Sequence, residues 1–195
     1  MPPEPVAIIT DATPMGRVPS LRQGAHRWII DLIDGPNMRH LGKRDRRLFG
    51  TIGSIGELQD LVVDFGLALG VDVRPFASDF EGELLEHIHA SASTADGYLI
   101  DAGGLTTVSE AMRHALQETR KPVVEVCFYN LAANNEVSVF TPTAIASAGG
   151  FRQYSYLAGL LGLVLSLDDE SFLHPDAPAS PTVRREGVPY TSMHR

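Results

Sequence analysis

The feature that most constrains the fold of this chain is a regular alternation between short apolar segments and longer amphipathic ones. The short segments are rich in valine, isoleucine and leucine, as buried strands are, and the longer segments repeat apolar residues at helical spacing. Glycine, proline or acidic residues interrupt the chain between them. Strands that alternate with helices are joined by right-handed crossovers, so the pattern predicts a parallel sheet covered by helices on both faces.

Five apolar segments are predicted to form the strands of this sheet. They are Trp28–Ile33, Val71–Phe76, Gly97–Ile100, Val123–Phe128 and Thr143–Ala146. The second contains Pro75, which cannot donate a ladder hydrogen bond and therefore favours an edge position. Five strands in this succession fit a flavodoxin-like order, so the predicted fold class is α/β, a three-layer sandwich around a five-stranded parallel sheet.

Helix ends are marked most clearly after the first strand. Ser54 and Glu57 are spaced as a capping box, and Gly70 suits the C-terminal end of the same helix. Further helices are predicted near Glu81–Ala92, Thr107–Glu118 and Tyr156–Leu167. One helix is therefore available for each of the first three crossovers between strands, and the last helix follows the fifth strand.

The length of 195 residues suits one globular domain. We assign this domain to residues 27–167. An N-terminal extension over residues 1–26 precedes it, and a proline-rich tail over residues 168–195, expected to be irregular, follows it.

Composition and charge narrow the classes of function. Sixteen Lys and Arg against 24 Asp and Glu give a net charge of −8, so nucleic acid and anionic membrane surfaces are poor partners. The single cysteine, Cys127, excludes an intrachain disulfide and argues against a secreted scaffold. The first residues lack the features of a signal peptide, and no apolar run approaches the roughly 20 residues that span a bilayer. We expect a cytoplasmic protein that binds a small molecule.

Polar residues cluster where the predicted strands end. Ligands of open α/β sheets bind beyond the carboxyl ends of the strands. That rule selects Asp34–Asn37, Ser78–Asp79, Asp101–Thr107 and Cys127–Asn130. The histidines lack metal-ligand spacing and the glycines lack the dinucleotide fingerprint, so neither a zinc site nor a nucleotide cofactor is predicted.

These strand ends carry motifs that resemble one family. Asp34-Gly35-Pro36-Asn37 is followed by Leu41-Gly42-Lys43-Arg44 and Phe49-Gly50, which is similar to the family's N-G-P-N, L-G-x-R and Y-G at the same spacing. Asp101-Ala102-Gly103-Gly104-Leu105-Thr106 stands where the family has N-P-G-A-Y-T. Pro122–Val126 with Asn130 resembles P-V-V-E-V-H-x-S-N. Over roughly residues 27–167 the chain resembles the type II (class II) 3-dehydroquinate dehydratases.

The resemblance implies a lyase with a flavodoxin-like protomer, usually assembled from trimers into a dodecamer, that eliminates water without a metal or cofactor. In the family a loop tyrosine removes a proton beside a ketone, and an arginine keeps that tyrosine basic. A histidine protonates the leaving hydroxyl, and the asparagine of G-P-N orients a water beside the enolate. Arg44 and Asn37 stand at the arginine and asparagine positions, so the resemblance implies these roles for them.

The departures from the family fall on the acid and the base. Phe49 stands at the tyrosine position and has no proton to exchange, and Cys127 stands at the histidine position. A thiol is a weaker acid whose pKa depends strongly on its surroundings. Asp101, if buried near like charges, would have a raised pKa and act as acid or base instead. The candidate catalytic residues are therefore Arg44, Asn37, Cys127 and Asp101.

The other candidate residues are predicted to hold the ligand. A helix start at Gly103–Thr107 would offer backbone N–H groups to a carboxylate. The aspartates at strand ends either preserve turn geometry in place of asparagine or make the pocket acidic, which would favour an ammonium group or a divalent cation. His114 stands where the family has an aspartate that reaches a neighbouring subunit's site. The predicted contacts are Asp34, Asp79, Gly103, Gly104, Thr106, Thr107, Tyr129, Asn130 and His114.

Two functions remain open from the sequence. The first is a dehydroquinase-like lyase or isomerase acting on a small carboxylated cyclic polyol, or on an amino-bearing analogue of 3-dehydroquinate. The second is a non-catalytic member of the same fold that keeps a ligand pocket or an assembly surface. The site is remade with reactive groups rather than alanines, which favours the enzyme. A trimer-based homo-oligomer, up to a dodecamer, is expected from the resemblance.

Overall fold

The structure is a computed structural model that describes residue 22 and residues 24–173. The predicted extension up to residue 21 and the tail from residue 174 lie outside the described residues. The strands are β1 (Ile29–Asp34), β2 (Asp72–Ala77), β3 (Gly97–Asp101), β4 (Val123–Cys127) and β5 (Ala146–Gly149). The α-helices are α1 (Arg46–Phe49), α2 (Ile55–Leu69), α3 (Glu81–Ser91), α4 (Glu110–Thr119), α5 (Tyr154–Asp168) and α6 (Glu170–Leu173).

The five strands form one parallel sheet in the order β2-β1-β3-β4-β5. This is the flavodoxin-like order, and it confirms the predicted α/β class. The strand β2 lies at an edge, which agrees with the position of Pro75. The register pairs Asp34 of β1 with Asp101 of β3, so two acidic residues lie side by side at the carboxyl edge of the sheet.

Two apolar clusters fill the layers on either side of the sheet. Successive strand residues point to opposite faces, so Leu32 packs with α2 and α5, whereas Ile33 packs with α3 and α4. Both side chains are fully buried. No helix among the described residues is long and apolar enough to cross a membrane.

The ends of α2 form as the sequence predicts. The Ser54 hydroxyl accepts a hydrogen bond of 3.0 Å from the Glu57 N–H, and the Glu57 carboxylate accepts one of 2.7 Å from the Gly53 N–H. Gly70 has a φ of 75°, the left-handed conformation that suits a C-terminal cap. The predicted caps at Ser54 and Gly70 are confirmed, whereas the Glu57 carboxylate bonds to the N–H of Gly53 instead of that of Ser54.

Two predicted boundaries were wrong. The helix expected from Thr107 begins at Glu110, because the Ser109 hydroxyl caps it by accepting a 3.1 Å hydrogen bond from the Met112 N–H. The fifth strand lies at Ala146–Gly149 rather than at Thr143–Ala146. The N–H groups of Thr143 and its neighbour both bond to the Phe140 carbonyl, so that segment is a turn.

The start of the predicted tail is helical rather than irregular. The helix α5 runs to Asp168, and α6 follows it. The Asp168 carboxylate accepts hydrogen bonds from the Arg22 guanidinium at 2.6 Å and from the Trp28 indole at 2.7 Å. These donors anchor the end of α5 against the beginning of the domain.

Candidate active site

The carboxyl ends of β1, β3 and β4 meet at a small cleft of about 110 Å³. Most of the residues that line the cleft were predicted from the sequence to lie at this edge. They come from four separate segments of the chain. The cleft is lined by Asn37, Met38, Arg44, Phe49, Asp101, Gly103, Gly104, Cys127, Phe128 and Tyr129.

The turn after β1 presents Asn37 to the cleft. Its φ is 76°, a left-handed conformation that asparagine tolerates better than most residues. The Asn37 N–H donates a 2.9 Å hydrogen bond to the Asp79 carboxylate, which comes from the loop after β2. Asp79 therefore holds the turn that carries Asn37. It does not line the cleft, where the sequence predicted that it would contact the ligand.

Arg44 lies against an aromatic wall of the cleft. The central carbon of its guanidinium is 3.6 Å from the centroid of the Phe49 ring, which is a cation–π contact. The Phe49 ring is buried and packs in turn on Phe128 at 5.7 Å between centroids. Within the described part of the chain, Arg44 forms no ion pair, so its charge is available to an anionic ligand.

Cys127 ends β4 and borders the cleft, but its thiol is poorly suited to moving protons. Burial, reinforced by the nearby Asp101 carboxylate, raises the pKa of Cys127 to about 12. The thiol therefore stays protonated at neutral pH and is too weak an acid to protonate a leaving hydroxyl efficiently. Burial of the thiol therefore argues against the predicted acid–base role of Cys127, although the residue lies in the cleft lining.

Asp101 is the ionisable group at the cleft whose proton affinity matches neutral chemistry. Its side chain is 3% exposed, and one carboxylate oxygen accepts a 3.0 Å hydrogen bond from the Gly103 N–H. Burial raises the pKa of Asp101 to about 6, against the lowering effects of Gly103, Tyr156 and Arg44. Near neutral pH such a carboxyl exchanges protons readily, because both of its forms are populated.

Asp34 lies behind the cleft rather than in it. Its carboxyl is fully buried and accepts a 3.0 Å hydrogen bond from the Gln59 amide, while the Tyr156 hydroxyl lies 2.7 Å from its other oxygen. Burial raises the pKa of Asp34 to about 7, with a further contribution from the charge of Asp101. The predicted contact between Asp34 and a ligand is not available in this arrangement.

The sequence predicted that the glycine pair after β3 offers free N–H groups to a carboxylate. In the structure both of these N–H groups already form hydrogen bonds. The Gly103 N–H bonds to Asp101 and the Gly104 N–H bonds to the Pro36 carbonyl at 3.0 Å. Gly103 has a φ of 55°, and a Cβ there would lie 2.3 Å from the same Pro36 carbonyl oxygen. These glycines allow two turns to approach closely and so shape the wall of the cleft. Thr106 is buried and Thr107 exposed, and neither lines the cleft.

A larger cavity of about 380 Å³ adjoins the cleft at Cys127 and Tyr129. The buried carboxyl of Glu125 accepts a 2.5 Å hydrogen bond from the Ser138 hydroxyl, and burial raises its pKa to about 7. Tyr129 donates a 2.7 Å hydrogen bond to the Glu136 carboxylate, and burial holds the pKa of this tyrosine well above its usual value. No lysine, arginine or histidine of the described residues lines this acidic cavity, which also contains the predicted Asn130.

Sequence reasoning missed the residues that contact the two buried aspartates. The Tyr156 hydroxyl lies within 3.0 Å of Asp101 as well as 2.7 Å from Asp34, although Tyr156 is 55 and 122 positions from them in sequence. Gln59, Glu125, Ser138 and Glu136 were also missed. The available signal was indirect. Buried carboxyls need hydrogen-bond donors, and Tyr156 lies near the start of α5, at the same edge of the sheet as the two aspartates. His114 is exposed on α4 and lines neither the cleft nor the cavity beside it.

Comparisons with known proteins agree with this fold. The family described as dehydroquinase class II matches residues 28–164. A 3-dehydroquinate dehydratase from a Nostoc species is 36% identical over 141 residues, which are 71% of this chain and 95% of that protein. The enzyme of the same name from Mycobacteroides abscessus is 33% identical over 145 residues, which are 74% of this chain and 90% of that protein.

Solved structures give the same result. The crystal structure of type II dehydroquinase from Propionibacterium acnes aligns with a TM-score of 0.66 and 25% identity, covering 71% of this chain and 99% of that one. The strand order, the cleft at the carboxyl ends and these similarities together define the class, an α/β protein with a small-molecule site at the edge of its sheet. The chain belongs to the class II dehydroquinase family.

Proposed function

We propose that this protein is a hydro-lyase or isomerase of a small carboxylated cyclic polyol, or of an amino-bearing analogue of 3-dehydroquinate, and that it works by acid–base elimination. One observation carries the proposal: Asp101, a buried carboxyl with a pKa raised to about 6, lines the same cleft as the Arg44 guanidinium, which forms no ion pair among the described residues. The relatives named 3-dehydroquinate dehydratase support the reaction class.

Each cleft residue takes a role that its chemistry allows. Arg44 binds an anionic group of the substrate and stabilises the charge that develops when a proton leaves carbon. Asn37 orients that group or a water, because its side chain lines the cleft beside Gly104. Asp101 moves the proton, in place of the family's tyrosine and histidine, since Phe49 has no proton to exchange and Cys127 holds its own too tightly.

The acidic cavity beside the cleft supports an amino-bearing substrate. A ring held through a carboxylate at Arg44 would extend its far side past Cys127 and Tyr129 towards Glu125 and Glu136. Carboxylates accept strong hydrogen bonds from an ammonium group and weaker ones from a hydroxyl. The lack of any cationic side chain among the described residues of this lining favours the ammonium further.

A non-catalytic role is the second candidate, and one observation favours it. The two positions at which the family keeps its base and acid hold Phe49, which is buried beneath Arg44, and Cys127, whose pKa is about 12. On that hypothesis the cleft binds a ligand without converting it. In either case the proposal includes a cytoplasmic, trimer-based homo-oligomer, in which His114 would face a neighbouring subunit; light scattering of the purified chain checks the assembly.

The experiment follows the ultraviolet absorbance of the conjugated enone product. The full chain is incubated with 3-dehydroquinate and with an analogue that carries an amino group in place of a ring hydroxyl. Turnover of either substrate supports the enzyme, and faster turnover of the amino analogue supports the finer proposal. Binding of both without turnover contradicts the enzyme and supports the non-catalytic alternative.

A matched variant tests whether the scaffold itself is competent. The double change Phe49→Tyr with Cys127→His restores a hydroxyl and an imidazole at the family's positions, and it is expected to turn over 3-dehydroquinate. If only this variant is active, the cleft is intact and the natural chemistry of the unaltered chain is not dehydration of that compound.

A further inference from the structure

A single phenol hydroxyl bridges two buried carboxyls behind the cleft. The Tyr156 hydroxyl oxygen lies 2.7 Å from an oxygen of Asp34 and 3.0 Å from an oxygen of Asp101. Tyr156 and Asp34 are fully buried and Asp101 is 3% exposed. Both distances are those of normal hydrogen bonds between oxygen atoms.

Counting protons shows that at least one of the two acids is neutral when both contacts form. A phenol carries one proton and donates it to one acceptor, so the second hydrogen bond needs a proton from a carboxyl group. The other oxygen of each carboxyl is already occupied, by the Gln59 amide at Asp34 and by the Gly103 N–H at Asp101. Two ionised carboxylates in adjacent register positions would also repel each other in a site that excludes water.

The two acids differ in their access to a ligand. Asp101 borders the cleft, whereas Asp34 is separated from it and connects with it through Tyr156. Among the described residues, the charged or titratable groups that face the pair are Arg44 from the loop after β1, Glu125 and Cys127 from β4, Tyr129 from the loop after β4 and Tyr156 from α5, while α2 contributes the neutral Gln59. Arg44 is the cation in this set and lies on the side of Asp101, so a negative charge is better tolerated at Asp101 than at Asp34.

We propose that Asp34, Tyr156 and Asp101 form a proton relay in which Asp34 stores a proton and Tyr156 passes it to Asp101 at the cleft. The proposal rests on the proposed function and adds a proton store to it. In the resting pair Asp34 is protonated and Asp101 is ionised, and Asp101 first takes the proton that leaves carbon. When Asp101 then gives a proton to the leaving hydroxyl, Tyr156 gives its hydroxyl proton to Asp101 and takes the proton of Asp34. The pair holds one proton before and after the elimination, because the proton from carbon replaces the one given to the hydroxyl. One O–H bond breaks and one forms at each transfer, and the net result is one proton moved from Asp34 to Asp101.

The relay assigns different kinds of role to the three residues. Asp101 is the group that touches the reacting atoms, whereas Tyr156 and Asp34 act through it. Burial and the two neighbouring carboxyls hold the pKa of Tyr156 well above its ordinary value, so a free tyrosinate is not an intermediate and the two transfers occur together.

Infrared spectroscopy of the full chain without substrate tests the shared proton directly. A protonated carboxyl has a carbonyl stretch that an ionised one lacks, and deuterium oxide shifts it. We expect such a band at pH 7 in the unaltered protein, and we expect its loss in Asp34→Asn and a shift or loss in Tyr156→Phe. Glu125→Gln is the control for the other buried acid, and it should leave the band of the aspartate pair in place. Absence of a protonated aspartate band at pH 7 would overturn the proposal.

Kinetics with the substrate that is turned over test the transfer. Tyr156→Phe keeps the buried ring and removes the hydroxyl, so we expect a lower kcat with KM nearly unchanged and an altered pH profile. Tyr154→Phe is the matched control, since it makes the same change two residues away on an exposed side chain of α5. A Tyr156→Phe variant that melts normally and keeps both kcat and the pH profile would refute the relay. A band without any turnover would instead refute the proposed function and leave the shared proton established.

Discussion

Asp34 and Asp101 occupy paired register positions at the ends of β1 and β3, and the hydroxyl of Tyr156 lies within 3.0 Å of both carboxyls. The resemblance implies that the family has asparagines at both positions. In this chain two carboxyls with raised pKa values replace those neutral amides at the edge of the sheet. The consequences extend from the stability of the fold to the chemistry of the cleft.

The stability of the protein is expected to fall as pH rises from about 4 to 7. Burial raises the pKa of Asp34 to about 7 and of Asp101 to about 6, so between their unfolded and folded pKa values the folded state binds more protons than the unfolded state. The stabilising contribution is therefore full below about pH 4 and is lost as pH rises through the folded values, by the order of a few kcal/mol.

Urea unfolding at a series of pH values measures this dependence. Asp34→Asn is expected to flatten it, because an amide does not titrate, whereas Asp64→Asn on the exposed face of α2 should leave it unchanged. An equally steep pH dependence in Asp34→Asn and in the unaltered chain would contradict the assignment.

Arg44→Ala is expected to weaken the binding of a carboxylated ring by tenfold or more while changing stability little. The guanidinium forms no ion pair among the described residues, and its contact with the Phe49 ring contributes only about 0.5–1 kcal/mol at a partly exposed site. Calorimetric titration measures the affinity, and Arg39→Ala, an exposed arginine of the preceding turn, is the control. Unchanged affinity in Arg44→Ala would show that the anionic group binds elsewhere.

Glu125→Gln is expected to reduce about tenfold the ratio of the affinity for an amino-bearing ligand to that for its hydroxyl counterpart. A hydrogen bond to a charged partner contributes about 1–2 kcal/mol more than a neutral one, and about 1.4 kcal/mol corresponds to tenfold in affinity. Competition binding of the paired ligands gives the ratio, and Glu118→Gln on the exposed face of α4 is the matched control. The same ratio in both variants would count against an ammonium in the acidic cavity.

Two glycine substitutions are expected to change stability in opposite directions. Gly103→Ala places a Cβ 2.3 Å from the Pro36 carbonyl oxygen at a φ of 55°, and it should cost about 1–3 kcal/mol and distort the cleft. Gly82→Ala lies in α3, where an added Cβ meets no atom within 4 Å, and it should stabilise the protein by about 0.5–1 kcal/mol. Thermal unfolding of the pair separates the effects, and a Gly103→Ala variant as stable as Gly82→Ala would be the contrary result.

Sequence patterns predicted the fold because each strand and each long helix carries its own local signal. The apolar run of β4, the capping of α2 by Ser54 and the proline of β2 all act within a few residues of where they occur. The errors arose where a different local interaction prevailed, as when the cap at Ser109 made α4 begin at Glu110, three residues after the predicted start at Thr107.

The candidate site was predicted less completely for a physical reason. The resemblance brought Asn37, Arg44, Phe49, Asp101 and Cys127 to one cleft, and the structure places all of them in its lining. Their proton affinities depend on burial and on partners far away in sequence, which no motif records. The bridging hydroxyl of Tyr156 and the acidic cavity at Glu125 therefore became visible only in three dimensions.

The most direct test of the central claim is the rate of enone formation by the unaltered chain and by Asp101→Asn, with Asp64→Asn as the control. If Asp101 moves the proton, its amide variant should lose turnover by about 10²–10⁴-fold while Asp64→Asn retains it. Equal turnover by all three proteins would contradict the account and place the acid–base group elsewhere in the cleft.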